Sequence, residues 1–83
     1  MGQSLPSISG DELLKLLVRN GWKEGRKTTH GIQISKLNGE RTLVAIIPLK
    51  HKAMPHGTLM AILGPKQTNI GREGFLEMFY SKV

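Results

Sequence analysis

Apolar side chains recur at helical spacing near the start of the chain, at Leu13, Leu14, Leu17 and Val18. This spacing places them on one face of a helix. Ser9 and Glu12 match a capping box, in which each side chain bonds the other residue's backbone N–H. Gly21 follows Asn20, and glycine commonly ends a helix in the left-handed conformation. The pattern predicts a helix between these signals, after a loose lead-in over residues 1–8.

The middle of the chain changes to the alternating pattern of strands. A strand of mixed polarity is predicted over residues 22–27, and isoleucines alternate with polar residues over 30–37. Asn38-Gly39 is a two-residue hairpin signal. The aliphatic run from Arg41 to Ile47 predicts a third strand, and the three strands form an antiparallel meander.

The last third of the chain returns to helical spacing. Apolar residues favour one helix over Thr58–Leu63, ended by Gly64-Pro65, and another over residues 72–80. A chain of 83 residues is expected to form one domain. We therefore predict an α+β fold, with helices packed on one face of a three-stranded antiparallel sheet.

Charge and cysteine content narrow the classes of function. The chain has 12 Lys+Arg against 6 Asp+Glu, a net charge of +6, which favours nucleic acid, an anionic membrane or an acidic protein as partner. It has no cysteine, which excludes disulfides, thiolate metal sites and cysteine nucleophiles. We find no signal-peptide pattern and no apolar run of about 20 residues. A cytoplasmic protein without a membrane anchor is expected.

The strongest candidate chemistry lies between the first two predicted strands, where His30 follows a basic segment. An imidazole can accept the proton of an RNA 2′-OH or donate one to the leaving 5′-oxygen. His30 shares strand parity with Ile32, which predicts that it faces the helices. The alternative is a plain strand-end histidine that bonds the backbone.

Phosphate contacts are predicted from residues close to His30 in sequence: Lys23, Arg26, Lys27, Thr28 and Thr29. Lysine and arginine contacts to phosphate give affinity without sequence information. A solvated strand face is the alternative for the cations, and a turn or cap for the threonines. Trp22 is interpreted as a core anchor rather than a base-stacking platform.

Two further histidines, His51 and His56, flank Pro55. A metal site would need more ligands than these, and their loop holds no carboxylate, so no metal or other cofactor is expected. His56 is expected at the N-terminal boundary of the following helix.

Several motifs in this order resemble the HicA family of small bacterial and archaeal toxins. They span about residues 9–80 and comprise Asn20-Gly21-Trp22, Thr29-His30, Pro55-x-Gly57-Thr58-Leu59, Ile62-Leu63 and Gln67. The resemblance implies a fold like the double-stranded-RNA-binding domain. It also implies a metal-independent mRNA interferase that a HicB antitoxin holds inactive. The family's Gly-Ser/Thr-His motif falls on Thr28-Thr29-His30, which makes His30 the implied catalytic residue, with Thr28 in place of the usual glycine.

Two other functions fit the same residues. One is a non-catalytic RNA-binding module of the same fold, and the other is a domain whose basic face binds an acidic protein. For an antitoxin complex, exposed apolar side chains near Met60 and over Phe75–Phe79 are expected to supply part of the contact.

Overall fold

The computed structural model describes residues 5–50 and 52–81 and has an α+β fold. The elements follow the predicted order: α1 (Gly10–Arg19), β1 (Lys23–Thr28), β2 (Gly31–Asn38), β3 (Arg41–Ile47), α2 (His56–Leu63) and α3 (Gly71–Tyr80). The strands form one antiparallel sheet in the order β1-β2-β3. The predicted fold class is confirmed. His51 lies outside the described residues.

Local signals define both ends of α1. The Glu12 N–H donates to Ser9 Oγ at 3.0 Å, and the Ser9 N–H donates to Glu12 Oε1 at 3.1 Å, as in a capping box. Gly21 has a φ of +100°, and the next N–H, from Trp22, donates back to the Leu17 carbonyl at 3.0 Å. This turn buries Trp22, which is 3% exposed, so its interpretation as a core residue is confirmed.

The two faces of the sheet differ in their neighbours. Ile34 pairs with Ala45 and Ile32 with Ile47, and the side chains of these pairs lie in or against the core shared with the helices. Each helix contributes to that core, through residues including Leu13, Leu17, Leu59, Ile62 and Phe75. The other face carries the exposed side chains of Leu37, Val44 and Ile46. The helices therefore cover one face and leave the other open.

Some element boundaries differ from the prediction. His30 is not the first residue of β2, because Thr28 pairs with Gly31 and leaves Thr29 and His30 as a two-residue turn. Likewise, Asn38 pairs with Arg41, so it belongs to β2 and the turn follows it. α2 begins two residues earlier than predicted, at His56, which confirms the expected place of this histidine.

The described part of the lead-in packs on the domain rather than forming a loose segment. Ile8 is buried, and its carbonyl accepts a hydrogen bond from the Met54 N–H at 2.8 Å. Leu5 also packs against the core. The segment before α1 is therefore tied to the loop before α2.

The apolar surface of the last two helices is smaller than expected. Phe75 is fully buried, so it cannot contribute to an exposed contact for a partner. Met60 and Tyr80 are exposed, at 38% and 69%. Among the described helices, none is long and apolar enough to cross a membrane.

Candidate active-site groove

The turn between β1 and β2 presents His30 to solvent and holds it by its backbone. The Thr28 hydroxyl donates to the Gly31 carbonyl at 2.9 Å and accepts from the His30 N–H at 3.2 Å. The side chain of His30 is exposed. Thr28 thus has the turn-forming role that was the alternative to a phosphate contact, and it fixes the backbone that carries the imidazole.

Gly31 presses this turn against the end of β3. Its φ is +144°, and a Cβ atom here would overlap the Ile47 carbonyl oxygen and lie 2.9 Å from Pro48 Cα. Glycine alone adopts such a conformation at low cost and permits this approach. The residue after His30 therefore fixes the distance between the turn and β3.

A groove of about 1040 Å³ lies beside the turn. Its walls come from the β1–β2 turn, β3, the segment after β3, and α2. The lining residues are Lys27–Gly31, Val44–Ile46, Pro48–Lys50, Gly57, Thr58, Ala61, Ile62 and Gln67. Among them are two lysines and one histidine, and none is acidic. His30 and residues of α2 line the same groove, but strand parity does not determine the direction of His30, because this residue lies in the turn and not in β2.

The segment between α2 and α3 closes the far side of the groove. Thr68 is 2% exposed, and its hydroxyl donates to the Ile62 carbonyl at 2.7 Å. This anchor places the neighbouring Gln67 against β3, where Gln67 Oε1 accepts from the Ile46 N–H at 3.3 Å. Because β3 is an edge strand, Gln67 bonds a backbone group that faces away from the sheet.

The structure brings only some of the predicted phosphate-binding residues together. Lys27, Thr28 and Thr29 line the groove with His30, whereas Lys23 and Arg26 are exposed on β1 outside the lining. The register of β1 against β2 shifts between Glu24 and Lys27, where the strand bulges. This bulge interrupts the alternation of side chains between the two faces of the sheet. Lys23, Arg26 and Lys27 are therefore close in sequence without forming one cationic surface.

Lys50 is a groove residue that the predicted set of phosphate contacts did not include. It comes two residues after Pro48, at the point where the chain leaves β3 and passes the β1–β2 turn. Its sequence separation from His30 hid this proximity. Pro48 is the sequence signal that predicts this proximity, because it ends β3. In an antiparallel hairpin the end of β3 lies beside the start of β2, which follows His30.

The histidines and carboxylates of the described residues do not come together as metal ligands. No group of three or more His, Asp or Glu side chains is close enough to hold a metal ion in the described ranges. His56 is exposed at the start of α2 and does not line the groove. Among the described lining residues, the chemical groups offered to a ligand are one imidazole, two ammonium groups and several hydroxyls.

These groups suit a phosphodiester. Ammonium groups neutralise phosphate oxygens, and an imidazole exchanges protons with hydroxyl groups near neutral pH. The aliphatic wall beyond them offers apolar contact.

Comparisons with protein-family models, curated proteins and solved structures found no match to this chain.

Proposed function

We propose that the protein is a metal-independent endoribonuclease that cleaves mRNA with His30, and that it acts as the toxin of a type II toxin–antitoxin system. The resemblance of its motifs to the HicA family supports this proposal. The α+β order of helix, three antiparallel strands and helix is the order that the resemblance implies. An enzyme of this kind would act in the cytoplasm.

One observation carries the proposal. His30 is exposed on a tight turn at a groove that also holds Lys27 and Lys50, and the described residues that line this groove include no acidic side chain. A solvated strand face gives no reason for an imidazole and two ammonium groups to share one concave surface. A phosphodiester chain supplies the matching charge, and an open groove admits a polymer.

The chemistry needs little from the protein, because RNA carries its own nucleophile. His30 accepts the proton of the ribose 2′-OH as the 2′-oxygen bonds to phosphorus. The bond from phosphorus to the 5′-oxygen breaks, and the imidazolium returns a proton to that leaving oxygen. The products are a 2′,3′-cyclic phosphate and a 5′-hydroxyl. Lys27 and Lys50 would bind the phosphate whose charge shifts during the step.

Such an exposed site requires external control. The groove opens to solvent at His30 and Lys50, so an inhibitor can act by covering it. A HicB-type antitoxin with acidic side chains would match the two lysines and exclude RNA. Exposed Met60 on α2 remains available for apolar contact, whereas buried Phe75 does not.

Growth after induction tests the proposal in cells. We expect the wild-type chain to arrest growth, His30→Ala to permit it, and His56→Ala, which changes an exposed histidine outside the groove, to remain toxic. Equal growth of all three strains, with intact mRNA and soluble protein, would instead favour the non-catalytic RNA-binding module. Equal toxicity of wild type and His30→Ala would remove His30 from the mechanism.

A further inference from the structure

The groove, at about 1040 Å³, is larger than a phosphate contact requires, and its two parts differ in chemistry. The part at the β1–β2 turn holds Lys27, His30 and Lys50. The remaining wall is mainly aliphatic, with Val44, Ile46, Leu49, Ala61 and Ile62, and it includes the amide of Gln67. Binding of a phosphate accounts for the first part of the groove, but it does not account for the aliphatic part.

The two parts lie within reach of one nucleotide. Gly31, next to His30, approaches the Ile47 carbonyl, while Gln67 bonds the N–H of Ile46. Ile46 and Ile47 are adjacent on β3, and adjacent strand residues are about 3.4 Å apart. A nucleotide whose phosphate lies against His30 can therefore reach Ile46 and Gln67 with its base.

We propose that the aliphatic part of the groove is a nucleobase subsite, which makes single-stranded RNA the substrate. This inference rests on the proposed function for the phosphate at His30. In a duplex the bases are stacked and paired inside, and proteins contact mainly phosphates and 2′-hydroxyls. An unpaired base can leave the stack and place its apolar face against the aliphatic wall.

Gln67 provides a polar contact for the edge of that base. Its Oε1 accepts from the Ile46 N–H, which fixes the orientation of the amide. Within the described residues, its Nε2 donates no hydrogen bond, so its two N–H groups are available to carbonyl or ring nitrogen acceptors of a base. The absence of acidic residues from the lining favours RNA over a peptide strand added to the edge of β3.

Binding to uncleavable RNA tests the subsite separately from catalysis. Fluorescence anisotropy would compare three 2′-O-methyl probes of equal length: a single strand, the same strand annealed to its complement, and a strand without bases. The variant Ala61→Leu fills the groove from an exposed position on α2. Met60→Leu is the matched control, since Met60 is its exposed neighbour outside the lining.

We expect the single strand to bind the wild type at least about tenfold more tightly than the strand without bases. Ala61→Leu should remove most of this difference and change binding of the baseless strand by less than about twofold, while Met60→Leu should leave all three affinities unchanged. Equal binding of the first and third probes, or tightest binding to the duplex, would overturn the subsite. So would an Ala61→Leu variant that loses the antitoxin yet binds all three RNA probes as wild type does.

The outcomes also separate the two proposals. A wild type that cleaves no RNA but prefers the single strand to the baseless strand would retain the subsite and refute the nuclease. A wild type that cleaves RNA but binds both probes equally would retain the nuclease and refute the subsite.

Discussion

A Cβ atom on Gly31 would overlap the carbonyl oxygen of Ile47. This close approach joins the turn that carries His30 to the end of β3, one residue from the strand position that Gln67 bonds. The geometry of the groove therefore depends on a residue that has no side chain to contribute. It also accounts for a glycine directly after the candidate catalytic histidine.

Gly31→Ala should destabilise the fold and displace the turn. The positive φ of +144° costs about 1–3 kcal/mol for a residue with a side chain, and the overlap with Ile47 adds to this cost. Gly39→Ala is the matched control, because Gly39 has a φ of +66° and no atom within 4 Å of its Cβ position. Urea unfolding should show the larger loss for Gly31→Ala. Equal losses of unfolding free energy would mean that the close approach of Gly31 to Ile47 adds nothing to the cost of the substitution.

Thr28→Val should raise the activation free energy of cleavage by more than it lowers the free energy of unfolding. It removes the hydroxyl that bonds the Gly31 carbonyl and the His30 N–H, each worth about 1 kcal/mol net. Thr28→Ser keeps the hydroxyl and should retain most of the rate. Thr42→Val is the control, because it changes an exposed threonine of β3 that does not line the groove. Single-turnover cleavage and thermal unfolding measure the two effects. Equal rates for the Val and Ser variants would contradict a positioning role for the hydroxyl.

The salt dependence of RNA binding should distinguish the groove lysines from the cations on β1. Each phosphate contact contributes about 0.7 to the slope of log affinity against log salt for single strands. Replacing Lys27 and Lys50 by alanine should therefore flatten the slope by about 1.4. Replacing Lys23 and Arg26 tests the remainder of the predicted set and should change the slope less, since neither lines the groove. A larger change in slope for the Lys23 and Arg26 replacements would instead place the bound RNA on β1, outside the groove.

Ser9→Ala should destabilise the domain by about 1 kcal/mol without affecting RNA binding. The Ser9 hydroxyl accepts the Glu12 N–H at 3.0 Å at the start of α1, and loss of such a cap costs about 0.5–2 kcal/mol. Ser7→Ala, an exposed serine before the helix, is the control. Urea unfolding gives the stability difference. A drop in RNA affinity for folded Ser9→Ala would show that α1 takes part in binding.

The sequence predicts the parts of this fold whose signals are local. Ser9 with Glu12 and Asn20 with Gly21 lie within one turn of the helix ends that they define. The alternation around Ile34 depends on near neighbours as well. The sequence predicts the ends of strands and turns less accurately. The turn at Thr29-His30 lacks the usual glycine or asparagine signal, and a hydrogen bond from the Thr28 hydroxyl defines it instead.

The groove could not be predicted in the same way, because it is made by contacts distant in the chain. Gln67 reaches Ile46 across 21 residues, and Lys50 joins Lys27 only through the pairing of β2 with both neighbours. The bulge in β1 also separates Lys23 from Lys27, although the sequence predicts both as contacts to phosphate. His30 was identified by its residue type and its resemblance, whereas its surroundings required the fold.

Cleavage of a labelled single-stranded RNA in the presence of EDTA tests the central claim most directly. Wild type and His56→Ala should cut the RNA equally well, and His30→Ala should be slower by about 10²–10⁴-fold, the usual contribution of general acid–base catalysis. The three proteins should have the same circular dichroism spectrum and should bind RNA with similar affinity. Undiminished cleavage by His30→Ala, or wild-type cleavage that stops in EDTA and returns with a divalent ion, would contradict the account.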